Sequence, residues 1–129
     1  GIGHPGMQAP FGVYQTRDGH WITIAMSPFR VLYGVLQAPE LAAWDDLTTL
    51  FDKRDEVWEA VNARTRAFDR DDLLDRLLAA DVWCAHVNDI RRAAEDPQAA
   101  HMEMLTSYEH PRAGTVRVVA PAVRMSETQ

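Results

Sequence analysis

The chain has a single cysteine, Cys84, among its 129 residues. An internal disulfide is therefore excluded, and one thiol suits a reducing compartment. Long apolar runs are missing as well: none nears the roughly 20 residues needed to cross a bilayer. With no charged-then-apolar stretch among these residues, no signal peptide is expected. The expectation is a cytoplasmic protein with no membrane partner. Cations are in deficit, with 13 Lys+Arg against 19 Asp+Glu and a formal net charge of −6. That balance speaks against nonspecific binding to nucleic acid. The remaining composition is ordinary for a globular chain, 47% apolar and 25% charged. A chain of this length can build one core. It begins Gly1-Ile2-Gly3 rather than with methionine, and stops at Ser126-Glu127-Thr128-Gln129 without a closing helix. Processing, a tag scar or an excised part of a longer protein would each give such ends.

Residues 1–12, GIGHPGMQAPFG, are rich in Gly and Pro and read as a loop or linker. Val13–Thr16, the turn Arg17-Asp18-Gly19 and His20–Met26 predict a hairpin, because Asp-Gly supplies the positive φ of a tight turn. Ile22, Ile24 and Met26 alternate onto the expected buried face. Ser27-Pro28 is read as a helix cap followed by a first-turn proline, with Phe29, Leu32, Val35 and Leu36 as the apolar stripe. Pro39–Ala43 adds a short turn of helix. Asp52 is the expected cap of a helix through Arg66, with Val57, Trp58, Val61 and Thr65 inward. Asp69 is the expected cap of the next, with Leu73, Leu74, Leu77 and Leu78 inward. Val82–Val87 is short, apolar and extended. Asn88 caps a short helix, Asp96-Pro97 opens another turn, and Met102–Glu109 with Thr115–Val119 form a closing hairpin. The order hairpin, helices, hairpin predicts an α+β fold: antiparallel sheet from the N- and C-terminal hairpins, packed with several helices.

The chemistry-bearing residues are sparse. The five histidines, at 4, 20, 86, 101 and 110, contain no i, i+4 pair. Cys84 and His86 alternate onto one side of an extended segment, yet a structural zinc wants four ligands and no second pair is evident. A buried thiol beside a hydrogen-bonded imidazole is the expected reading, so no metal is assigned. The apolar context of Cys84 likewise argues against an activated nucleophile. The acids Asp69, Asp71 and Asp72 fit a helix start, where the helix dipole favours them. The run Asp52–Glu56 fits a solvated face, and the Trp residues at 21, 44, 58 and 83 fit core and interface positions. Gly1, Gly3 and His4 remain as the functional candidate: glycines let backbone approach a ligand, and an imidazole can exchange a hydrogen bond near neutral pH. No complete catalytic constellation is present, so no catalytic residue is assigned.

Several segments taken in order resemble the class III CoA-transferases, the CaiB–BaiF family. They are Gly3-His4-Pro5, Tyr14-Gln15-Thr16, Asp18-Gly19, and Ala38-Pro39-Glu40-Leu41. They continue with Val82, Cys84, Val87 and Asn88, then Asp96-Pro97-Gln98, His110-Pro111 and Gly114-Thr115-Val116-Arg117. Departures concentrate in one loop, where Asp81 takes a position usually held by Gly, Trp83 and His86 replace prolines, and Ala85 replaces a small residue. The resemblance implies that 13–129 is the small α+β domain of a larger CoA-transferase-like protein. The parent would move CoA from an acyl-CoA thioester to a carboxylic acid through an aspartyl intermediate supplied by a large domain outside this chain. Coenzyme A esters would be substrates and no further cofactor is implied. The parent would be an interlocked homodimer, and this piece alone would be inactive. Gly1, Gly3 and His4 fall on the family's glycine-containing loop and are the implied substrate-binding residues. The alternatives are a part of an α-methylacyl-CoA racemase-like member, or a noncatalytic CoA-ester-binding or dimerisation module.

Overall fold

The computed structural model describes residues 3, 4, 6–123 and 126. The fold is α+β, and the chain divides into two compact units, Gly1–Val87 and Asn88–Gln129. The two end hairpins lie in separate sheets, one three-stranded and one two-stranded.

In the first unit, strands β1 (Gly12–Gln15) and β2 (Trp21–Ile24) pair antiparallel, Tyr14 opposite Ile22. Gly19 takes φ +79, as the Asp-Gly turn requires. Helix α1 spans Phe29–Val35 and is followed by a 3-10 turn, Pro39–Trp44. Helices α2 (Leu47–Asp52), α3 (Arg54–Thr65) and α4 (Arg70–Ala79) come next. Strand β3 (Cys84–His86) then returns to pair with β2 and makes the order β1-β2-β3. Tyr14, Ile22, Ile24, Leu32, Leu41, Val57, Val61, Leu73 and Leu77 are buried in one apolar cluster. Each fully buried side chain of this size contributes roughly 1.5–3 kcal/mol by leaving water.

Helix α3 does more than bury a stripe. Trp58, Asn62 and Thr65 stand at i, i+4 and i+7 on one face. Trp58 Nε1 donates to Val13 O at 2.9 Å, Gln15 N donates to Asn62 Oδ1 at 2.9 Å, and Thr65 Oγ1 donates to Gln15 O at 2.8 Å. These are the outward backbone groups of β1, so the helix satisfies the edge that an open sheet would leave unpaired. Trp58 also stacks on Tyr14, ring centroids 5.8 Å apart.

The hairpin turn is tied to the start of α4. Arg17 grips the Asp69 carboxylate through Nε and Nη2, at 2.9 and 2.6 Å. In return Arg70 N donates to Asp18 Oδ2 at 3.1 Å. The hydroxyl of Thr16 and the N–H groups of Arg70 and His20 all donate to Asp18, and they hold its carboxyl down at about 2. Asp69 occupies the cap position of α4 but makes no side-chain cap bond. Its charge is spent on Arg17, and Asp18 reaches in from the turn to serve the helix instead.

Other expected positions are corrected. Ser27 does not cap α1: Pro28 stands there, and Ser27 Oγ accepts a hydrogen bond from Trp83 N at 3.1 Å. Met26 lies past the end of β2 and is 47% exposed. Asp52 ends α2 rather than capping a helix; Asp46 is the cap, accepting from Thr49 N at 2.9 Å. Leu78 is 59% exposed because Leu73, Leu74 and Leu77 already fill the inward face of α4. Asp81 carries φ 57, taking the left-handed turn where the family pattern has glycine.

The second unit consists of α5 (Ile90–Glu95), α6 (Pro97–His101) and the hairpin of β4 (Leu105–His110) with β5 (Gly114–Val119). Asp89, not Asn88, caps α5, its side chain accepting from Arg92 N at 2.8 Å. Asp96 caps α6 with Pro97 in the first turn, as expected. The hairpin runs in register from Leu105–Val119 to His110–Gly114. Its turn is closed by His110 Nδ1, which accepts from Arg112 N and Ala113 N at 3.2 Å each. No described residue of this unit is buried.

Candidate functional site

The candidate loop can be followed from Gly3. Gly1 lies outside the described residues. Gly3 bridges Gly12 antiparallel and so extends the β1 side of the sheet by one rung. A Cβ there would lie 3.5 Å from Phe11 O, an ordinary contact, so space does not demand glycine. His4 is exposed, its ring edge-on to Phe11 with centroids 6.1 Å apart. Gly6 N donates to His4 Nδ1 at 3.1 Å, and Met7 N donates to His4 O at 3.1 Å. With Nδ1 accepting, the neutral imidazole carries its proton on Nε2 and presents a donor there.

The loop is anchored behind His4. Ala9 N donates to Leu50 O at 3.0 Å, and the buried Tyr14 hydroxyl donates to Pro10 O at 2.8 Å. Burial raises the Tyr14 phenol far above its ordinary pKa, so it stays a protonated donor. The anchored stretch forms one wall of an open recess of about 320 Å³. Met26 and Leu47 are its exposed apolar lining, Pro10, Phe29 and Leu50 being buried, and Arg30, Asp45 and Asp46 stand among its charged lining. Asp46 is engaged at the start of α2, and hydrogen bonding from Thr49 holds its carboxyl below the usual carboxylate range. Asp45 Oδ2 accepts from the Tyr33 hydroxyl at 3.5 Å. The Arg30 side chain has no hydrogen bond, ion pair or ring contact among the described residues.

The sequence reading named Gly3 and His4 but missed the recess. Arg30 carried no signal, since an arginine on the exposed side of a short helix is unremarkable until its neighbours in space are known. Cys84 and His86 do not form a site: the thiol is half-buried and raised by that burial, while His86 Nε2 lies 3.4 Å from Asp71 Oδ1. Asp71 is held low chiefly by Arg70. No group of three or more His, Cys, Asp or Glu among the described residues is arranged to hold a metal ion. No helix of the described residues is long and apolar enough to cross a membrane.

Comparison with known proteins places the chain. The sequence model of CoA-transferase family III matches residues 1–129. The chain belongs to CoA-transferase family III. A CAIB/BAIF family protein from Brucella suis superposes with a TM-score of 0.75 at 26% identity, over 98% of this chain and 33% of that one. Rv3272 from M. tuberculosis superposes with a TM-score of 0.78 at 14% identity, over 95% of this chain and 36% of that one. The chain thus spans about a third of the length of these solved relatives. No curated protein matches it.

Proposed function

We propose that this chain is the small α+β part of a class III CoA-transferase, whose parent moves CoA from an acyl-CoA thioester to a carboxylic acid. The observation that supports this most is the family match over residues 1–129, in a chain that spans only a third of its solved relatives. The nucleophilic aspartate belongs, in this reading, to the remainder of the parent. The acids of this chain suit that division of labour. Asp18, Asp46, Asp69 and Asp71 are each held low by hydrogen bonds, so each serves as an ionised acceptor inside the fold.

The part played by this chain is positional. Gly3 and His4 stand on a loop whose far end is anchored to Leu50 and Tyr14, so the loop can cover a reacting thioester without losing its footing. Excluding water there would protect an acyl intermediate from hydrolysis. His4 Nε2–H would offer a hydrogen bond to the substrate. Assembly of the parent as an interlocked homodimer in the cytoplasm belongs to the same proposal.

The test is an acyl-transfer assay on the full-length parent and on the 129-residue chain separately. CoA transfer to added carboxylic acids is expected from the parent and none from the chain. Turnover by the chain alone would overturn the division of labour. Scrambling at Cα of a 2-methylacyl-CoA by the parent, without transfer, would replace the reading with a racemase.

A further inference from the structure

We propose that the outer edge of β3 pairs antiparallel with the same edge of a second copy of this chain, about a two-fold axis at Ala85. The first support is the state of the backbone there. Ala25 N donates to Trp83 O at 2.8 Å, and Val87 N donates to Trp21 O at 3.0 Å. Bonding to β2 alternates along the strand, so residues 83, 85 and 87 turn their N–H and C=O groups to the β2 side. Cys84 and His86 turn theirs outward, and none of those groups has a hydrogen-bond partner among the described residues. The β1 edge of the same sheet is closed by Trp58, Asn62 and Thr65 of α3, so β3 is the edge left open.

The second support is that this edge is its own complement. With Ala85 opposite Ala85 of the second copy, Cys84 falls opposite that copy's His86, and Trp83 opposite its Val87. Cys84 and His86 then exchange N–H and C=O groups in both directions, as the hydrogen-bonded pairs of an antiparallel ladder do. The Trp83–Val87 pair forms twice, once on each side of the axis. In the single chain Trp83 is 68% and Val87 42% exposed, and an aromatic ring against a β-branched side chain is a favourable cross-strand pair. Both lie on the face of the sheet away from the core, because Val82 and Cys84 pack into the core from the other face. Ala85 between them is exposed and puts only methyl groups at the axis. The third support is residue type. The family pattern has prolines where this chain has Trp83 and His86. A proline at 86 would remove the outward N–H and blunt the edge, whereas histidine leaves the donor in place.

The pairing stands independently of the function proposed above. Its test is sedimentation velocity of the 129-residue chain over a range of concentrations, with amide exchange at both ends of the range. A monomer–dimer equilibrium is expected, with a Kd on the order of 100 μM because so short an edge buries little surface. The Cys84 and His86 amides are expected to gain protection as concentration rises, while those of Ala85 and Val87, already bonded to β2, keep theirs. Ala85→Glu sets like charges opposite each other across the axis and is expected to weaken the dimer about 10-fold or more. His86→Pro deletes the outward donor and is expected to do the same. Ala85 is exposed, so Ala85→Glu keeps the fold, which its spectrum will verify. Ile90→Ala, at an exposed position outside the edge, is expected to leave the Kd unchanged. A chain still monomeric at about 1 mM overturns the pairing. So does a dimer as tight in Ala85→Glu as in the original sequence, or one whose Cys84 and His86 amides exchange at an unchanged rate. Protection of those two amides in the full-length parent, with a chain that stays monomeric, assigns the edge to another segment and overturns it as well.

Discussion

Residues 1–87 and residues 88–123 are ordered by different means. The first unit buries an apolar cluster drawn from two strands and four helices, and binds its polar groups across long separations in sequence. The second buries no described residue, and Ile90 and Val119 stand 91% and 74% exposed. Its order comes from caps at Asp89 and Asp96, the β4–β5 ladder and the His110-closed turn, all of short range. Apolar burial is the dominant favourable term in folding, while a net hydrogen bond contributes only about 1 kcal/mol. The two units should therefore respond very differently to the same kind of substitution.

The largest contrast lies in side-chain truncation. Leu77→Ala removes a fully buried side chain and is expected to cost about 3 kcal/mol. Val119→Ala is expected to stay within about 0.5 kcal/mol. Urea unfolding followed by tryptophan fluorescence measures the first cleanly, because Trp21, Trp44, Trp58 and Trp83 all lie in residues 1–87. Hydrogen exchange of the β4 and β5 amides measures the second. Equal costs would erase the contrast.

A smaller effect sharpens it among polar groups. Asn62→Ala strips Gln15 N of its acceptor at a half-buried strand edge and should cost about 2 kcal/mol in the same urea experiment. Asn88→Ala, which loses only an exposed 3.4 Å contact to Asp96, should cost almost nothing. A near-zero cost for Asn62→Ala would mean that water replaces the helix at that edge.

The smallest effect is one of pH. The Asp18 carboxyl, held at about 2, titrates well below its unfolded value of about 3.9. A depressed acid stabilises the fold above the unfolded pKa and loses that contribution as pH falls towards 2. Tryptophan-detected stability should decline between about pH 4 and about pH 2, and Asp18→Asn should flatten part of that decline. An acid limb identical in wild type and Asp18→Asn would detach the turn from the α4 start.

Much of the fold was legible in the residues. The Asp18-Gly19 turn, the Asp96-Pro97 helix start, the short β3 segment and the closing hairpin all appear near their expected places. The misread positions share a cause. Ser27 and Asp52 are good capping residues by type, but neighbours compete for the role, while Asp69 holds its expected cap position and only its side chain is drawn elsewhere. Asp46 begins α2 earlier than Asp52 suggested, and Arg17, distant in sequence, takes Asp69 away from its helix. Of the candidate site, Gly3 and His4 were visible as a motif. The recess was not, because its walls come from the loop, α1 and the segment leading into α2.

Local signals in this chain act over about one helical turn or one hairpin, so they reach turns and apolar spacing. Those interactions are written between near neighbours, and the order of residues is enough to specify them. Which carboxylate meets which guanidinium, which helix face closes the β1 edge, and why Arg30 is left with open donors are matters of packing. They depend on partners some 50 residues apart, as Asp18 is from Arg70 and Thr65 from Gln15, and proximity of that kind exists only once the core has formed.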